Sequence, residues 1–104
     1  TIVFDTFSAR YFETDSVEGI KHVANELNER LNTDMFVTLN DFYYEIGLDP
    51  VGYGDDIGWA IEDGYIKIQF SAMLTKQNRP VLCISYDVGP QHIFKKLVRG
   101  FNEH

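Results

Sequence analysis

Acidic oxygen donors crowd one stretch of this chain. Asp49, Asp55, Asp56, Glu62 and Asp63 fall within residues 49–63, around the run GYGDDIGW. A turning loop rich in carboxylates could hold a hard divalent cation such as calcium, which takes many oxygen ligands. The ligand spacing of a helix–loop–helix calcium site is absent, so the same residues also read as solvated acids with structural glycines at Gly52, Gly54 and Gly58. Phosphate is excluded more firmly. A phosphate loop leads into a helix and has a lysine nearby, whereas this loop leads into an apolar alternation and contains no basic residue.

Tyr53 and Trp59, the only tryptophan, give the loop another reading. Large aromatics are favoured anchors in protein interfaces, and Asp55 and Asp56 would flank them with charge. The competing reading for Trp59 is core packing, its indole lying over the first helices beside Gly58. Catalytic groups are sparse. Cys83 lies in the apolar run VLCISY, where a thiol is ordinarily inert, and His22, His92 and His104 have no nucleophile or carboxylate spaced to serve them. A Cys83–His92 pair assembled in space is the one enzymatic arrangement to consider. One cysteine and three scattered histidines show no zinc spacing, and no cofactor signature appears. The expectation is therefore a non-enzymatic protein without metal or cofactor.

The elements that must position these residues follow from periodicity. TIVFDTF reads as a strand with Ile2 and Phe4 alternating against Asp5, followed by an extended ARYFETD. Val17, Ile20, Val23, Ala24, Leu27 and Leu31 recur at helical spacing, with Asp15 as N-cap and Glu18 three residues on. A second helix is expected over Leu39–Ile46, capped by the Thr38/Asp41 pair and stopped by Gly47 and Pro50. Asp63-Gly64 predicts a two-residue hairpin joining a strand through Ile57, Trp59 and Ile61 to one over Tyr65–Met73. TKQNRP closes a second connection, and VLCISYDV reads as a buried central strand. Ile93, Phe94, Leu97, Val98 and Phe101 would form the apolar stripe of a terminal helix docked on the sheet, with a lipid- or partner-binding helix as the alternative.

The expected fold is a single α+β domain over residues 1–104: a small antiparallel sheet, a three-strand meander with or without the N-terminal strand, packed against two to three helices. The start at Thr1 is compatible with excision from a longer chain.

Charge sets the class of partner. Residues 1–63 carry three basic side chains against fourteen acidic, a formal −11, whereas residues 64–104 carry six against two, a formal +4. The acidic balance disfavours direct binding to a nucleic-acid backbone, leaving only the thin basic footprint of Lys95, Lys96 and Arg99. No apolar run reaches the roughly 18 residues of a membrane span. A lone cysteine favours a reducing compartment.

The segments FSARYFETDSVEGIKHVANELNERL, FVTLNDFYYEIGLDPVGYGDDIGW and YIKIQFS together resemble a family of small uncharacterised proteins encoded by bacteriophages, prophages and mobile elements of gram-positive bacteria. TLNDFY, IGLDP and GDDIGW carry the likeness, which covers the chain up to about Phe70. The resemblance implies provenance rather than an activity. It suggests an accessory virion component or an inhibitor of a host protein, located in the host cytoplasm or on the virion. Such a module would bind a protein partner through an acidic surface or through Tyr53, Asp55, Asp56 and Trp59. The alternative is a small-ligand or divalent-metal domain using loop 49–63.

Overall fold

A computed structural model of the chain describes residues 1–92. The expected terminal helix over residues 93–101 lies outside them. The elements run β1 (Ile2–Asp5), β2 (Arg10–Glu13), α1 (Val17–Asp34), β3 (Phe36–Thr38), α2 (Leu39–Ile46), β4 (Ile57–Ala60), a 3₁₀ turn (Ile61–Asp63), β5 (Ile68–Leu74), β6 (Pro80–Tyr86) and β7 (Gln91–His92). The class is α+β, as composition and periodicity require.

Both helices form for the reasons visible in sequence. In α1, Ile20, Ala24, Leu27 and Leu31 are buried. Burial of each large aliphatic side chain contributes roughly 1.5 to 3 kcal/mol. An N-cap is worth about 1 kcal/mol, so this helix tolerates a poor one. Ser16, rather than Asp15, is the N-cap, and its side chain makes no capping bond. The expected Asp15/Glu18 box is absent; Thr14, two residues before the cap, instead holds it, its Oγ1 accepting from the Ser16 N–H and donating to the Ser16 carbonyl. The shorter α2 does depend on its caps. Thr38 and Asp41 exchange both bonds of a capping box, and Gly47 closes the helix at φ 90°. Leu39, Phe42, Tyr43 and Ile46 are buried, the stripe expected from sequence.

Two sheets, rather than one meander, receive these helices. The larger has strand order β2-β1-β6-β5; β1 pairs with β2 and β5 with β6 antiparallel, while β1 and β6 are parallel. The smaller has order β3-β4-β7. The predicted β4–β5 hairpin does not form. A two-residue hairpin turn of the Asp-Gly type needs both residues in the left-handed region. Here Gly64 has φ 94° and ψ −178°, an extended conformation open essentially to glycine alone, and the chain leaves the small sheet instead of turning back along it. Two α1 asparagines catch it. Asn28 accepts from the Ile66 N–H at 2.6 Å and donates to the Ile66 carbonyl at 3.1 Å, and Asn32 accepts from the Tyr65 hydroxyl. Residues 28 and 32 are one turn apart on one helix face, so together they replace the missing strand ladder. The second connection is as expected: Asn78, at φ 60°, turns β5 into β6, the central strand.

The phase of β1 is opposite to the sequence expectation. Val3 and Asp5 face the core, fully buried, whereas Ile2 is exposed and Phe4 packs on Tyr11 across the outer face. One continuous core joins Val3, Phe12 and Ile84 of the large sheet to both helices and to Val37, Ile57 and Trp59 of the small one. Among the described residues no helix is long and apolar enough to cross a membrane.

Candidate functional site

The inward carboxylate of Asp5 organises one end of the molecule. Its Oδ2 accepts from the Ser8 N–H at 2.9 Å, the Ser8 hydroxyl at 2.6 Å and the Tyr43 hydroxyl at 2.6 Å; its Oδ1 accepts from the Tyr86 hydroxyl. A carboxylate offers about four lone-pair sites; here three donors crowd Oδ2 and one reaches Oδ1. The side chain is fully buried among these donors, so Asp5 acts as a structural acceptor. Burial first, and then the hydrogen bond and negative charge of Asp5, push the Tyr43 phenol well above its ordinary range. Burial, followed by the Asp5 charge, pushes Tyr86 further still.

Arg10, opposite Asp5 in the β1–β2 register, reaches the carboxylate through Ser8. Its Nε donates to Ser8 Oγ at 3.0 Å, its guanidinium lies 5.2 Å from the Tyr43 ring centre, and a terminal nitrogen donates to the Asp49 carbonyl at 2.9 Å. One side chain thus holds the turn after β1 and the loop after α2 together. The turn is further fixed by Thr6, which bonds the Ile84 carbonyl through both its N–H and its hydroxyl.

Asn40, in the first turn of α2, pins the rest of the loop. Its backbone N–H donates to the Gly54 carbonyl, its Oδ1 accepts from the Val51 N–H at 2.9 Å, and its Nδ2 donates to the Val51 carbonyl and to Asp55 Oδ1. Gly54 is required by this clamp. A Cβ there would lie 2.1 Å from Asn40 Oδ1, an atom that has no freedom to move while its bonds persist.

These bonds present an aromatic pair at the surface. Phe7, on the turn after β1, and Tyr53, on the loop, meet edge to face at 6.3 Å and are 39% and 48% exposed. Asp49, Asp55 and Asp56 are exposed on the same loop. Of the residues expected to bind a partner, Tyr53, Asp55 and Asp56 are therefore accessible together. Trp59 is not, and the expectation of an exposed anchor is corrected: it is 2% exposed, packed edge-on against Phe42 and beside Tyr86, with its indole N–H donating to the Val88 carbonyl. A buried indole wants both its area covered and its N–H paired, and this position supplies both. Sequence does not single out Phe7 for binding, because it reads as the last residue of the strand TIVFDTF and nothing local marks a turn there.

The acids of loop 49–63 fall into two groups. Strand β4 separates Asp55 and Asp56 from Glu62 and Asp63, one group at each of its ends. Among the described residues no three His, Cys, Asp or Glu side chains gather in a way that could hold an ion. Cys83 is buried in the large sheet, while His92 belongs to a strand of the small one.

Charge around the loop is left acidic. Lys21 pairs with Glu18 at 3.3 Å, and Arg30 lies between Asp34 and Asp41 at 3.9 and 3.6 Å. With Arg10 turned to Ser8 and Asp49, the three cations of the first 63 residues are committed locally.

Residues 1–95 match a family described as a family of unknown function (DUF6353). Neither a curated protein nor a solved structure matches the chain.

Proposed function

The chain belongs to the DUF6353 family, and from that premise we propose that it is a non-enzymatic protein-interaction module whose contact surface is the Phe7–Tyr53 pair with its acidic flank. The observation that supports this reading most is the joint exposure of two large aromatics on backbone already fixed by Arg10 and Asn40. Loops ordered in advance lose less entropy on binding, so such a surface favours recognition. The partner it fits is a basic protein surface with an apolar side chain to pack over the two rings. Charge complementarity of this kind speeds encounter and makes association salt-sensitive.

The sequence likeness to proteins of bacteriophages and mobile elements supports a wider role as an accessory virion component or as an inhibitor of a host protein, in the host cytoplasm or on the virion. The test is affinity capture from a gram-positive host lysate at low and high salt, using the native protein, Tyr53→Ala and the double variant Asp55→Lys, Asp56→Lys. A stoichiometric partner lost in both variants, and at high salt, supports the reading. Capture unchanged by all three manipulations overturns this surface.

A further inference from the structure

We propose that β5 is a self-pairing edge, through which two copies of this chain join their four-stranded sheets into one sheet of eight strands. It is the terminal strand of its sheet, and among the described residues its ladder runs to β6 alone. Natural edges are usually blunted by charge, proline, a bulge or short length. The opposite edge, β2, follows that rule, with four residues that include Arg10 and Glu13. β5 does not: its seven residues, IQFSAML, contain no charge, proline or glycine, and its register with β6 is unbroken from Ile68 to Leu74.

Why a second copy, rather than any extended peptide, follows from how the strand is covered. Ile68 and Phe70 are half-buried against the core, whereas Ala72 and Leu74 on the same face are bare, Leu74 being 63% exposed. An antiparallel pair about a two-fold axis at Ser71 sets Ile68 opposite Leu74 of the other copy and Phe70 opposite Ala72, so the covered end of each strand meets the bare end of its mate. Because directly opposed residues of an antiparallel pair share a face, the four apolar residues of each strand form one continuous stripe. Gln69 and Met73 oppose each other on the reverse side, and no pair between residues 68 and 74 places like charges together. The contact is isologous and closed, so it stops at a dimer.

The test combines mass and cross-linking on the full chain. Light scattering across a dilution series is expected to move from 12.0 kDa towards twice that mass as concentration rises, and Ser71→Lys is expected to hold the protein at the monomer mass with unchanged circular dichroism. Since Cys83 is the β6 neighbour of Ser71, the cross-link is made in Cys83→Ser: adding Ser71→Cys should give an oxidised dimer, and adding Lys76→Cys should not. A native protein that stays monomeric throughout, or a dimer that survives Ser71→Lys, overturns the proposal; the first result would leave the edge to a strand from another protein. Tyr53→Ala should dimerise normally, which separates this surface from the partner-binding one.

Discussion

Asp5 shows how a single buried charge can be accommodated without a direct ion pair. Its four donors make it the acceptor on which two tyrosines and a turn depend. Replacing it by asparagine keeps the shape but sets an amide N–H₂ against donors. Asp5→Asn is expected to lose roughly 3 kcal/mol, the scale of one or two charge-assisted bonds, measured by urea unfolding. A change within experimental error would show that the phenols find water instead. The same site sets an alkaline limit. Both phenols are held neutral above their ordinary value of 10.0, so the unfolded chain releases their protons first. Stability from this source is complete below about pH 10 and falls above it by up to about 1.4 kcal/mol per pH unit for each phenol. Part of the tyrosinate absorbance should therefore rise together with the loss of circular dichroism. Tyr43→Phe with Tyr86→Phe should remove that coincidence.

At the scale of elements, the loop after α2 depends on a glycine and an asparagine that fit one another. Gly54→Ala is expected to expel the Asn40 side chain and lose about 1 kcal/mol, the low end of the cost of unpairing polar groups, since these are only part-buried. Hydrogen exchange should quicken at Val51, whose N–H is held by Asn40 Oδ1, while α1 stays protected. Protection unchanged at Val51 would show that the clamp does not order the loop. This clamp was invisible in sequence because Asn40 and Val51 are joined by side-chain bonds, which leave no period. The helices were legible because burial recurs every three to four residues, and in α2 even the cap pair could be read. Asp63-Gly64 misleads for the opposite reason: its strong local preference is set against Asn28 and Asn32 of the eighteen-residue α1, whose partners lie more than thirty residues away. Asp5 was misassigned because an acid in an alternating strand is ordinarily the outward residue. Only the distant Tyr43 and Tyr86 make it an inward one.

For the molecule as a whole, Trp59 joins the small sheet to the large one and to α2. Its ring lies 5.9 Å from both Phe42 and Tyr86, residues of two other elements. Trp59→Ala is expected to cost about 3 to 5 kcal/mol, a large part of the total stability of a small domain, and to lower the thermal midpoint accordingly. Unfolding followed by circular dichroism measures this, since the variant has lost its fluorophore. Loss of partner capture in such a protein would then report unfolding, whereas loss in Tyr53→Ala would report the surface. A Trp59→Ala protein of native stability would show that the sheets are joined elsewhere.

The parallel pairing of β1 with β6 sets an order of events during synthesis. Val3, Phe4 and Asp5 leave the ribosome well before their neighbours Leu82, Cys83 and Ile84, which are nearly eighty residues behind. Until Tyr86 has been made, the nascent chain carries a carboxylate whose acceptor sites are incompletely filled and a first strand with one open side. The helical segment can assemble early, but the large sheet must wait until β6 has been translated. A ribosome-stalled chain ending before β6 should therefore be cleaved readily within residues 1–13 by a nonspecific protease, and one extended past Tyr86 with room to fold should resist.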